Sequence, residues 1–201
     1  MKITIVGLGL IGASMAKALG RVALVAGVDT RGRTVRQAMD EGVIAEGSVD
    51  TAVASGSDVV VLAVPVGSVV ETAWRVIRHI GDDTVLTDTG STKAHIVESI
   101  ERIFPSFVGS HPIAGREDPG YASSRADLFD GAATIITPTE KTRPGCIDRV
   151  RTLWETCGST THTMDPAGHD RLMAMVSHLP HLLSYVDRKS TRLNSSHVSQ
   201  S

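Results

Sequence analysis

Six residues near the start of the chain, Gly7-Leu8-Gly9-Leu10-Ile11-Gly12, restrict its fold more than any others. A GxGxxG hexapeptide alone is weak evidence, and its surroundings give it meaning. An apolar run of strand character, Lys2 to Val6, leads into it. A helical stretch, Ile11 to Leu19, follows, with Ala13, Ser14, Ala16 and Ala18 small enough for close packing. The next apolar run, Val22 to Val28, ends on Asp29. Strand, glycine turn, helix, second strand and terminal acid together make the fingerprint of a dinucleotide site. Gly7 permits the tight turn, Gly9 lets the backbone approach a pyrophosphate, and Gly12 lets the helix lie against the strand. The helix amides and dipole then face the diphosphate. Asp29 is placed to accept from the adenine ribose hydroxyls and to repel a 2′-phosphate, which favours NAD over NADP. Arg31 and Arg33 work the other way, because a nearby arginine accommodates that phosphate.

The pattern continues as alternating short apolar runs and helical stretches, which predicts βαβ units and an α/β fold: a Rossmann-type doubly wound, mostly parallel sheet. Thr34 to Asp40 and Val49 to Ala54 read as short helices. Asp58 to Val64 is a β-branched run expected as a central strand buried on both faces. Pro65 ends it, and Val64-Pro65 then sits at a strand's carboxyl end, where such sheets bind ligands. Val69 to His79 is expected as a helix, Thr84 to Thr87 as a strand, and Lys93 to Ile103 as a helix capped by Ser91 or Thr92. Lys93 reads as a surface residue of that helix. Phe107-Val108 is a short strand running into Gly109-Ser110-His111-Pro112. Ala133 to Thr137 and Cys146 to Thr156 are a late strand and a late helix. From Pro166 the texture changes to a methionine-rich helical stretch, Ala167 to Val176, in which Met173 and Met175 read as core residues.

Composition narrows the partners. A formal net charge of -2 and an aromatic content of 3% offer neither the basic field nor the stacking surface that nucleic acid or an anionic membrane needs. Cys146 and Cys157 have no metal-ligand spacing, so no metal site is expected and a reduced, cytoplasmic protein is the simplest expectation. No secretory leader or membrane-length apolar run is read in the sequence.

Further blocks follow the fingerprint: Thr87-Asp88-Thr89-Gly90-Ser91-Thr92-Lys93, then Gly109-Ser110-His111-Pro112-Ile113-Ala114-Gly115-Arg116-Glu117, Leu128-Phe129, His169-Asp170, and Ser177-His178-Leu179-Pro180-His181. In this order, from Met1 to about Asp187, they resemble the prephenate and arogenate dehydrogenases of tyrosine biosynthesis. The resemblance implies oxidation at C4 of a cyclohexadiene ring: hydride leaves for NAD, carbon dioxide leaves C1, and the ring becomes aromatic. It implies His111 as the base that takes the hydroxyl proton, a task suited to an imidazole with an ordinary pKa near about 6.5. It implies Ser91 as a hydrogen-bond partner of that histidine and the substrate hydroxyl, Glu117 as an acid at the site entrance, and Ser177 and His181 as substrate-side residues. It also leaves room for Lys93 near the site and implies a homodimer for the whole protein.

The resulting division is a dinucleotide-binding domain over residues 1–163, the beginning of a truncated helical substrate and dimerisation domain over 164–187, and a serine-rich, non-native or disordered tail over 188–201. A chain so truncated is expected to turn over substrate poorly alone and to leave Leu172, Met175 and Leu179 uncovered. Two other functions stay open. Arogenate differs from prephenate only in a side-chain amino group. A non-catalytic NAD-binding module needs only Gly7, Gly9, Gly12 and Asp29.

Overall fold

Val59, Val60, Val61 and Leu62 follow one another without a polar interruption, and a strand of that kind is stable only with a layer on each face. In the computed structural model, which describes residues 1–115 and 118–178, this strand (β4, Val59–Leu62) is central. It pairs in parallel with β1 (Lys2–Val6) on one side and β5 (Val85–Asp88) on the other. The remaining strands are β2 (Leu24–Val28), β3 (Glu46–Ser48), β6 (Phe107–Pro112), β7 (Ala133–Thr137) and β8 (Thr160–Thr163). Together they form one sheet in the order β3-β2-β1-β4-β5-β6-β7-β8. Neighbours are parallel except β6 and β7. The first six strands have the doubly wound Rossmann order.

Side-chain alternation along β4 decides what each helix covers. Val59 and Val61 enter a core with Met15 and Leu19 of α1 (Leu10–Leu19) and Val150, Leu153 and Trp154 of α5 (Pro144–Thr156). Val60 and Leu62 enter a second core with Val69, Ala73 and Val76 of α3 (Val69–Ile77) and Ile96, Val97 and Ile100 of α4 (Ala94–Glu101). Helix α2 (Gly32–Asp40) lies on the first face through Val35 and Ala38. Helix α6 (Pro166–Met173) begins after β8, its first turn capped by Asp165, whose side chain accepts from the Gly168 amide at 2.8 Å.

Several expectations change. The helix expected over Val49 to Ala54 is one 3-10 turn, Thr51–Ala54, preceded by the short edge strand β3. The polar edge strand β8 is also new. Its threonines are mostly exposed, so no apolar alternation announced it. Met173 is buried as expected, but Met175 is 71% exposed, on a π-helical turn (Ala174–His178) that continues from α6. Leu172 and Val176 are exposed beside it, and Leu179 lies outside the described residues. Among the described residues no helix is long and apolar enough to cross a membrane.

Candidate active site

The glycine turn sits between β1 and α1 because two of its three glycines have no room for a side chain. Gly7 has φ +100°, and a Cβ there would lie 2.3 Å from the Ala63 carbonyl oxygen. A Cβ on Gly12 would fall 1.9 Å from the Gly7 carbonyl oxygen. Gly9 differs: nothing lies within 4 Å of an added Cβ, so the backbone there faces open space. That space is a cleft of about 990 Å³ along the carboxyl edge of the sheet. Gly7, Gly9, Leu10, Ile11, Asp29, Val64 and Pro65 all line it, with Ser91 on the far wall. Leu8 and Gly12, also expected at the cofactor, do not line it. The Leu8 side chain is fully buried in the core and only its amide serves the site, while Gly12 acts through helix packing.

Among the described residues no side chain caps α1, which leaves its first-turn amides to an external acceptor. Asp29 is 7% exposed and ties the turn to the end of β2. Its Oδ2 accepts from the Leu8 amide at 2.9 Å, and its Oδ1 accepts from the Arg31 amide at 2.9 Å and from Arg31 Nε at 3.2 Å. An open glycine cradle, an uncapped helix start and a fixed carboxylate fit a dinucleotide. A loop after β6 supplies Pro119 and Gly120 to the cleft wall. That loop is strapped to the α1 side by Tyr121, whose hydroxyl donates to Glu41 at 2.8 Å, and by the Ser14 hydroxyl, which accepts from the Arg125 amide at 3.0 Å. Burial, with the Glu41 carboxylate beside it, holds the Tyr121 phenol well above its ordinary range.

His111 lies near the end of β6, which runs beyond the end of β5 at the carboxyl edge of the sheet. The residue before it is fixed from every side. Asp88 and Lys93 are both fully buried and form an ion pair. Lys93 Nζ also donates to the Ser110 carbonyl at 2.9 Å. Asp88 Oδ1 accepts from the Ser110 amide at 3.1 Å and Oδ2 from the Gly90 amide at 2.9 Å. The Ser110 hydroxyl donates to the Asp88 carbonyl at 2.6 Å and accepts from Trp154 Nε1 at 2.9 Å. Burial pulls the Lys93 amine below its ordinary range, and the Asp88 charge and hydrogen bond oppose that pull. The expectation of a surface lysine is therefore overturned: Lys93 is part of the floor beneath His111. The expected cap of α4 by Ser91 or Thr92 is also replaced. Asp170 of α6 accepts from the Lys93 amide at 2.7 Å and the Ala94 amide at 2.9 Å.

His111 Nδ1 meets His169 Nε2 at 2.9 Å, and His169 Nδ1 meets Asp170 Oδ1 at 2.8 Å. Ser91 stands exposed in the cleft wall, with no side-chain hydrogen bond among the described residues, and His111 is not among the cleft-lining residues. Glu117, His181 and the side chain of Ser177 lie outside the described residues. Among the described residues no group of three or more His, Cys, Asp or Glu is placed to hold a metal ion. The roles of Asp88, Lys93 and Trp154 were not legible in the sequence. The pairing of His169 with His111 had one trace there, the His169-Asp170 block, which carried no assigned role.

This chain is similar to several known proteins. The family model described as prephenate dehydrogenase, nucleotide-binding domain, matches residues 13–163. A cyclohexadienyl dehydrogenase of Zymomonas mobilis is 32% identical over 190 residues, covering 91% of this chain and 64% of that protein. A prephenate dehydrogenase of Bacillus subtilis is 31% identical over 194 residues, covering 90% of this chain and 51% of that protein. The chain thus spans between about half and two thirds of the length of these relatives. Among solved structures, the prephenate dehydrogenase of A. aeolicus in complex with hydroxyphenyl propionate and NAD+ superposes with a TM-score of 0.89 at 35% identity, covering 94% of this chain and 68% of that one. Synechocystis arogenate dehydrogenase superposes with a TM-score of 0.90 at 31% identity, covering 94% of this chain and 69% of that one. The chain belongs to the prephenate dehydrogenase family, and the part of that family it matches is the nucleotide-binding domain.

Proposed function

We propose that this chain is the cofactor-binding and base-bearing part of an NAD-dependent dehydrogenase that converts prephenate to 4-hydroxyphenylpyruvate in tyrosine biosynthesis. The observation that carries this reading is His111 held on a rigid floor at the same sheet edge as the open Gly9 cradle. When bound, NAD supplies the hydride acceptor. The α1 amides hold the diphosphate, and Asp29 holds the ribose hydroxyls while its charge disfavours a 2′-phosphate. His111 accepts the C4 hydroxyl proton as the ring is oxidised and carbon dioxide leaves, so no proton need be released into the cleft. Ser91, on the cleft wall, hydrogen-bonds that hydroxyl. Glu117, Ser177 and His181 keep the entrance and substrate-side roles that the family resemblance implies. Homodimeric assembly of the whole protein is part of the reading, supported by exposed Leu172, Met175 and Val176.

Arogenate is the second substrate candidate, favoured by the 31% identity to the Synechocystis arogenate dehydrogenase. The test is NADH formation with prephenate and with arogenate, by this chain and by the same chain extended to the length of its relatives. Activity with one substrate selects it. His111→Asn in the active form should lower kcat by on the order of 10²- to 10⁴-fold with NAD affinity unchanged. NAD binding without NADH formation from either substrate by the extended chain would leave only a binding module.

A further inference from the structure

The His111 ring meets a neighbour 58 residues later in the chain. His169 is fully buried on α6, and its ring stands edge-on to that of His111, with centroids 5.1 Å apart and planes at 70°. One His169 nitrogen faces His111 at 2.9 Å, and the other faces the Asp170 carboxylate at 2.8 Å. Asp170 is held by more than that imidazole: Oδ1 also accepts from the Lys93 amide and Oδ2 from the Ala94 amide, so the carboxylate is fixed in place at the start of α4.

The direction of each hydrogen bond follows from what each group can do. A carboxylate only accepts, so His169 must donate from Nδ1. A neutral imidazole has one N–H, so His169 Nε2 then carries a lone pair and accepts. His111 must therefore donate from Nδ1, which makes Nε2 its basic nitrogen. We propose that His169 and Asp170 are positioning residues that fix His111 as the Nδ1–H tautomer and so set its Nε2 lone pair as the base. This rests on the reading of His111 as the base of a dehydrogenase. In the proton step, the substrate O–H bond breaks and an N–H bond forms at His111 Nε2. The Nδ1–H stays on His111, still donated to His169, and the imidazolium charge is balanced through His169 by anionic Asp170. No proton moves along the chain. Burial alone would raise the Asp170 carboxyl, yet the Ala94 amide, the His169 imidazole and the Lys93 amide bring it below its ordinary range.

One alternative has the opposite consequence. An imidazolium at His169 would donate to both neighbours, placing the His111 hydrogen on Nε2 and removing the base. Long-range ¹H–¹⁵N correlation spectra of the full chain, labelled at histidine and saturated with NAD, distinguish the two; His111→Asn and His169→Gln assign the signals. The expected result is His111 and His169 both as Nδ1–H tautomers. His169→Phe should release His111 to a mixture of tautomers, and His169→Gln, whose carbonyl can accept from Nδ1, should restore the single form. Asp170→Asn should weaken the preference without removing NAD binding. An Nε2–H form of His111 in the unmodified chain would overturn the proposal. So would an unchanged His111 signal in His169→Phe, or in Asp170→Asn if the phenylalanine variant does not fold. The spectra need no substrate, so a failed NADH assay of the extended chain beside the expected tautomers would refute the substrate reading and leave the positioning intact.

Discussion

Replacing Lys93 with methionine tests whether the floor under His111 depends on the buried ion pair. Lys93 and Asp88 are both 0% exposed. The methionine keeps most of the volume and the apolar stem, so the perturbation is mainly electrostatic. Breaking one partner of a buried pair costs about 3–5 kcal/mol, because the other charge is left without its counterion. Asp88 would retain two donors, the amides of Gly90 and Ser110, at 2.9 and 3.1 Å, which places the cost at the lower end, about 3 kcal/mol. For a domain of this size about 1 kcal/mol moves Tm by about 2–4 °C, so Lys93→Met should melt about 6–12 °C lower. Adding Asp88→Asn removes the stranded charge and should recover at least about 1 kcal/mol relative to the single variant. Thermal and urea unfolding of the three proteins at neutral pH, with tests of two-state behaviour, measures both quantities. A single-variant cost below about 1 kcal/mol, or a double variant less stable than the single, would refute the claim that the pair's charge holds β5, α4 and β6 together.

Two glycines of one motif should respond oppositely to alanine. Gly12→Ala puts a methyl 1.9 Å from a backbone oxygen and should destabilise the fold strongly, whereas Gly9→Ala meets nothing within 4 Å and should leave Tm within a degree or two. Gly9→Ala should nevertheless weaken NAD binding, as calorimetry would detect, because its methyl projects into the space the diphosphate needs; unchanged affinity would count against the cradle. The clamp of α6 on α4 should depend on acid. The Asp170 carboxyl is lowered in the folded chain, so its contribution is fully present above the unfolded value near about 3.9 and is lost as pH falls through the lower folded value. The stability difference between the unmodified chain and Asp170→Asn should therefore shrink as pH is lowered through that window, and a difference independent of pH would contradict the assignment.

What the sequence made legible was whatever depends on local pattern. The β-branched run at Val59–Leu62 could only be a doubly covered strand, and the glycine spacing with Asp29 required a strand, a turn and a helix in fixed order. Both hold to within a residue or two. The edge strands β3 and β8 were not legible, because three residues, or three threonines and a histidine, at a sheet margin carry no core-facing alternation. Lys93 misled for a different reason. Its type and its place at a helix start describe a solvated residue in most contexts, and only the partner five residues earlier, brought to it by the end of β5, makes burial tolerable. The Ser91 cap failed similarly: a local capping residue was available, but a carboxylate from α6 reached the α4 amides instead.

These long-range contacts divide the site along the chain. Among the described residues, every one lining the cleft lies at or before Gly120, so the cleft wall they form is complete before the late elements in chain order. The orientation of His111 is not. Its Nδ1 partner, His169, and the carboxylate behind it both sit on α6, beyond the last strand of the sheet. The same Asp170 that orients the imidazole pair also caps the helix carrying Val97 and Ile100 in the core, so displacing α6 would leave α4 uncapped as well as leaving His111 undirected. On the proposed reading of His111 as the base, cofactor binding and base placement are therefore separable in this fold. A chain can retain the first through its glycine turn while the second depends on whether α6 stays docked on α4.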